Sequence, residues 1–257
     1  MPMELPSNTL QLKIEGLSGR TSSISVRSFV RAAEALEQLL SQMAADLQPA
    51  TKVDWIVSNV KMGSVDVDVG GRARNRNQSG VVPVLLQQTL AVVEVFESES
   101  PLPSWVTYGV AEKLRALSTV TSRGQISLSG FQRSVQLSRR TATRAKDLID
   151  RRYVSFGSVE GTIETISVRE SPPYFTLFHI LDDYAVKCKC SPQLLEVAHQ
   201  AFNHRVRVMG RIERRFDGRV DSIELESIQT IPPRSELPQP RDIRGILAKD
   251  STTSGVG

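Results

Sequence analysis

Tyr174-Phe175-Thr176-Leu177-Phe178, Ala185-Val186-Lys187-Cys188-Lys189 and Val206-Arg207-Val208-Met209-Gly210-Arg211-Ile212 decide the fold of the C-terminal part of this chain. In each run the apolar or small residues recur at every second position, the period of a strand with one buried face. Phe175 and Leu177 alternate with Tyr174, Thr176 and Phe178, and Val186, Cys188 and Cys190 alternate with Ala185, Lys187 and Lys189. Upstream, Val159, Gly161 and Ile163 share a face before Ile166 and Val168 switch parity, the mark of a bulge in a long bent strand. Pro192 to Phe202 has helical spacing with proline in its first turn. Asp217-Gly218 is a hairpin turn signal, and Ile223, Leu225 and Ile228 make a last strand. Three strands, a helix, a strand, a hairpin and a strand give the order of a small Greek-key barrel over 157–232.

Working outward, Leu10, Leu12 and Ile14 alternate as a strand, and a second short strand is expected near Ile24. Phe29, Ala33, Leu36, Leu40, Met43 and Leu47 then keep helical spacing, with Ser25 or Ser28 as N-cap. Val53, Trp55 and Val57, then Val65, Val67 and Val69, alternate again. Residues 8–70 therefore read as an N-terminal ββαββ layer with one helix on a sheet. Residues 71–80, with Arg72, Arg74 and Arg76 among Gly, Asn and Ser, read as a basic linker, either solvated or touching phosphate. Residues 81–156 form a central helical segment: an αα-hairpin broken by Pro101 and Pro103, a short extended stretch over 124–130, and a helix capped by Ser138. Residues 233–257 are Pro-rich and then Ser/Thr/Gly-rich, a largely disordered tail whose Asp242–Leu247 stretch could dock on a protein. The fold class is thus α+β, with a β-barrel at the C-terminal end.

Charge is unevenly spread. Residues 71–156 carry 13 Lys and Arg against 6 Asp and Glu, whereas 157–232 carry 9 against 11. The basic character sits in the middle of the chain, and the barrel is slightly acidic. No basic segment followed by an apolar one opens the sequence, so no secretory signal is expected. Unbroken apolar runs such as Val81–Leu86 are short against a bilayer, and Cys188 and Cys190 are the only cysteines. Two residues apart on a strand, they are poorly placed to bridge each other, and a reducing cytoplasm is the expected location.

The barrel runs resemble nucleic-acid-binding OB-fold domains of the anticodon-binding type, a family represented in the large subunit of bacterial exodeoxyribonuclease VII. The resemblance covers about 75 residues, Gly157 to Ile231, and rests on the apolar pair of strand two, the small residues of strand three and Gly210 in strand four. It implies a binding face on strands two and three plus the loop joining strands four and five. There Tyr174 and Phe178 are available to stack on bases, and Lys187 and Lys189 to meet phosphates. The hairpin Arg214-Arg215-Phe216-Asp217-Gly218-Arg219 offers a further ring among arginines. No nuclease domain accompanies the barrel, so that family's enzyme activity is not carried over.

Two other constellations stand out in the sequence. Arg139, Arg140 and Arg144 suit either a recognition helix in a helix-turn-helix or a solvated face opposite Ala142, Ala145, Leu148 and Ile149. Cys188, Cys190, His199 and His204 are the only metal-like set, and their spacing is too tight for a structural zinc site, so no metal and no cofactor is expected. Phosphate-loop, nucleophile-elbow and zinc-protease motifs are all missing from the sequence. The expectation is a non-enzymatic accessory protein that binds single-stranded nucleic acid through the barrel face and the basic middle. The alternative is an adaptor whose barrel and tail dock a protein.

Overall fold

A computed structural model describes residues 9–16, 24–61, 65–98, 100–120, 124–179 and 184–232; the tail stretch Asp242–Leu247 lies outside them. The fold is mixed α+β with two sheets. The chain divides into two compact units, Met1–Arg152 with Arg215–Gly218, and Tyr153–Arg214 with Arg219–Gly257.

The first unit runs β1 (Thr9–Gly16), α1 (Val26–Leu47), β2 (Val53–Lys61), β3 (Val65–Ala73), α2 (Val81–Ser98), α3 (Tyr108–Thr119), β4 (Gly124–Gly130), β5 (Arg133–Leu137) and α4 (Arg139–Asp150). Its five strands lie in the order β2-β3-β1-β4-β5. β1 is the middle strand, antiparallel to both neighbours, with Leu12 opposite Val67 on one edge and Leu128 on the other. Alternation sends Leu10, Leu12, Ile14, Val67, Val69, Ile126 and Leu128 into one core with the apolar stripes of α1, α2, α3 and α4. Each such side chain, fully buried, contributes about 1.5–3 kcal/mol. On the other face Asp68 accepts hydrogen bonds from Gln11 and Asn59 at 3.3 and 3.1 Å.

Three expectations need correction here. Ile24 forms no strand; it precedes the N-cap Ser25, whose Oγ accepts from Ser28 N–H at 3.1 Å. Ile24 and Phe29 both pack on the core, the N′ and N4 positions of a hydrophobic staple, so the strand expected there becomes the entry to α1. Residues 81–156 are not a segment separate from 8–70, because the extended stretch expected over 124–130 is β4, which pairs with β1 and carries β5 with it. The linker expected over 71–80 begins as the end of β3 and continues through a 3-10 turn, Arg76–Gln78, capped by Asn75. In it Arg74 Nη2 pairs with Asp54 Oδ1 at 2.8 Å, and that hydrogen bond holds the Asp54 carboxyl below its ordinary range. Of the two readings of α4, the helix-turn-helix has no supporting helix, since 131–136 are a turn and strand β5.

α2 also qualifies a reading made from unbroken runs. As a helix, residues 76–98 are long and apolar enough to cross a bilayer by length and composition. Leu85, Leu86, Leu90, Val92, Val93 and Phe96 are all buried, the behaviour of a core helix.

The second unit contains β6 (Arg152–Ser167, entering from the first unit), β7 (Tyr174–His179), β8 (Ala185–Lys189), α5 (Pro192–Gln200), β9 (Arg205–Arg215) and β10 (Val220–Thr230). The strand order is β10-β8-β7-β6-β9, and β9 pairs in turn with β10. β8 and β10 are parallel. The register shift in β6 falls between Ile163 and Thr165, where the side-chain parity changes. Phe175, Leu177, Val186, Cys188, Val206, Val208 and Ile212 form the core, with Ala198 of α5 buried against it. Two glycines permit close backbone approach. A Cβ on Gly161 would lie 2.2 Å from Phe178 O, and one on Gly210 2.0 Å from Glu224 O.

The β4–β5 turn carries a testable cost. Phe131 and Gln132 have φ of 52° and 60°, the left-handed pair a type I′ hairpin requires. Phe131 packs on the core, whereas Gln132 is exposed. Gln132→Gly should therefore raise stability by about 0.5–1 kcal/mol, read as a higher urea midpoint with an unchanged slope.

Candidate nucleic-acid interface

The outward face of β7 and β8 is built by register. Tyr174 lies opposite Lys189, Thr176 opposite Lys187, and Phe178 opposite Ala185, while Phe175, Leu177, Val186 and Cys188 point into the core. Tyr174, Phe178, Lys187 and Lys189 are thus brought to one face, each partly exposed. Lys187 Nζ lies 4.0 Å from the Tyr174 ring centroid and pairs with Glu170 Oε2. Lys189 has no ion-pair partner among the described residues.

Beside the face, on the inward parity of β7 and β8, lie two rings the sequence did not flag, with Tyr184 packed against the core. His179 and Tyr184 stack with ring centroids 5.0 Å apart, and the Arg219 guanidinium lies over Tyr184 at 6.0 Å. His179 and Tyr184 flank the stretch 180–183, so only folding reveals them as neighbours. Glu170 was hidden for a similar reason, being seventeen residues from the lysine it contacts.

The arginine hairpin is used differently from expectation. Arg215–Gly218 group with the first unit, where Phe216 packs against the core. Arg215 lies over the Tyr108 ring at 4.3 Å, and Asp217 Oδ2 accepts from Tyr108 N–H at 2.8 Å. These contacts partly bury the Phe216 ring and reduce its availability for stacking on a base. Arg214 is half-buried at the end of β9, in register with Val220, and Arg219 is exposed.

On α4, Arg139 and Arg140 are exposed, and with Thr143, Arg144 and Asp147 they line an open depression of about 520 Å³. Arg144 has a second role. Its guanidinium donates to the carbonyls of Val95 and Ser100 and lies 5.6 Å over the Phe96 ring, closing the C-terminal end of α2. Reciprocally, Glu97 of α2 accepts from Ser138 N–H at 2.7 Å, from Ser138 Oγ at 2.8 Å and from Thr141 Oγ1. A carboxylate thus meets the positive end of one helix and a guanidinium the negative end of the other. The α4 N-terminus is consequently occupied from within.

Other polar groups are also committed. Arg205 and Arg207 on the outer face of β9 share the Glu160 carboxylate at 2.8 and 2.5 Å, and the Arg207 and Arg205 hydrogen bonds hold that carboxyl below its ordinary range. Burial pushes the Cys188 thiol well above its usual range and raises Cys190 too, so both stay protonated and poor as nucleophiles or metal ligands. Among the described residues no group of three or more His, Cys, Asp and Glu could hold a metal ion. Comparison with protein-family models, curated proteins and solved structures gave no match.

Removing the carboxylate at the α2–α4 junction tests the reciprocal caps. Glu97→Ala leaves part-buried donors unsatisfied and should cost about 1–3 kcal/mol in chemical denaturation. Arg144→Ala should destabilise by a similar amount without altering the retention of an oligonucleotide, which separates a cap from a phosphate contact.

Proposed function

We propose that this chain is a non-enzymatic accessory protein that holds single-stranded nucleic acid on the β7–β8 face of an OB-like Greek-key barrel. The observation that carries the reading is the mixed row on that face: Tyr174 beneath Lys187, Lys189 opposite Tyr174, and Phe178 on the same side. Such alternation suits a single strand, because any base can stack on a ring while neighbouring cations meet its phosphates; stacking is worth about 1–3 kcal/mol per base. The barrel part of the reading is supported by the strand order. Numbering the second unit's strands one to five, the pairings run 1-2-3-5-4 and 4 pairs back to 1, with a helix between three and four and a bulged first strand. The basic middle of the chain, with Arg139 and Arg140 exposed on α4, adds attraction that does not depend on sequence.

Fluorescence anisotropy with a labelled single-stranded 20-mer, as DNA and as RNA, tests this. Binding should weaken steeply with salt. Tyr174→Ala should reduce affinity about 5- to 150-fold, the equivalent of one stacked base. Lys189→Gln should flatten the plot of log affinity against log salt by about 0.7. Absence of retention at low salt, for both DNA and RNA, would sink the proposal.

A specific observation favours a second reading in that event. At the start of β6, Val154 and Phe156 share one face at 50% and 61% exposure and Tyr153 stands on the other at 52%, large side chains that a protein partner would cover. Under this reading the second unit is an adaptor.

A further inference from the structure

We infer that Glu170 is an internal stand-in for phosphate, a carboxylate held on Lys187 that a bound strand must displace. The inference rests on the nucleic-acid reading above and concerns the regulation of the same face. Glu170 comes from the loop between β6 and β7, whereas Lys187 and Tyr174 come from adjacent strands. The end of that loop is fixed to the sheet by Cys190 N–H donating to Pro173 O at 3.0 Å. Aromatic ring, ammonium and anion therefore meet as base platform, cation and phosphate would: the ammonium lies 4.0 Å from the Tyr174 ring centroid and bonds the Glu170 carboxylate.

The pair is also exchangeable. Its side chains are 37% and 56% exposed, and ion pairs this open to water contribute little and are screened by salt. A phosphodiester brings the same charge and arrives with its base already placed on the ring. The arrangement is selective, because Lys189, one outward position further along β8, has no such partner among the described residues. The first cation a strand meets at no local cost is thus Lys189, and Lys187 becomes available only as Glu170 leaves. Nucleic acid binding then releases fewer counterions than the lysines on the face imply, since Glu170 regains a counter-cation when it is displaced.

Equilibrium binding of the labelled 20-mer to the full chain and to Glu170→Gln, from low to moderate salt, decides it. Glu170→Gln should bind about three- to fivefold more tightly at low salt, the range expected for removing an exposed ion pair. Its log–log salt slope should be steeper by about 0.7. On a Lys187→Gln background the same change should lose this affinity gain, which ties the effect to that lysine. If the natural chain binds and Glu170→Gln matches it in affinity and slope, the stand-in is wrong and the nucleic-acid reading survives. If neither binds at low salt, both are overturned. Binding by Glu170→Gln alone would support both and mean that the carboxylate blocks the face outright.

Discussion

β1 has to satisfy two rows of backbone groups at once, and the first unit follows from how it does so. A strand in the middle of a sheet leaves no edge for water, so each of its amides and carbonyls needs a neighbour. Thr9–Gly16 finds one in β3 and the other in β4, segments separated in sequence by two helices. The two helices between them must then return to the same face, where Leu85 and Leu114 bring the apolar stripes of both into the buried interior. A polar stretch such as 71–80 cannot act as a free tether under that constraint. It is drawn into β3 and a short 3-10 turn.

What could be read from the chain alone was local. Alternation located the strands of the second unit, helical spacing located α1 and α5, and the caps Ser25, Ser138 and Ser191 sit where short hydroxyl residues precede apolar stripes. The β4–β5 hairpin was harder. Its turn is Phe131-Gln132 instead of the Asn-Gly type that announces such a turn, because Phe131 takes the unfavourable backbone angle while packing on the core. Within the candidate site, Tyr174, Phe178, Lys187 and Lys189 follow from period-two alternation. Arg144, Phe216 and Glu170 do not, since their partners lie far along the sequence and no local pattern marks them.

Counting cations in the sequence overstates what a ligand would meet. Arg74 is held by Asp54, Arg133 by Glu94, Arg205 and Arg207 by Glu160, and Arg144 by helix carbonyls. These pairs shape surfaces and helix ends more than they advertise charge. The basic middle of the chain is therefore reduced, in the folded protein, to a smaller set that includes Arg139 and Arg140 on α4.

The buried thiols on and just after β8 give the second unit a clock of its own. Both cysteines of the chain lie there, Cys188 wholly enclosed and Cys190 nearly so, and the first unit has none. A thiol reagent can reach Cys188 only when the sheet around it opens, so its labelling rate in native buffer measures the frequency of that opening. Because both thiols belong to the same unit, an alkylation time course reports every opening that exposes that unit and none that is confined to the remainder of the chain.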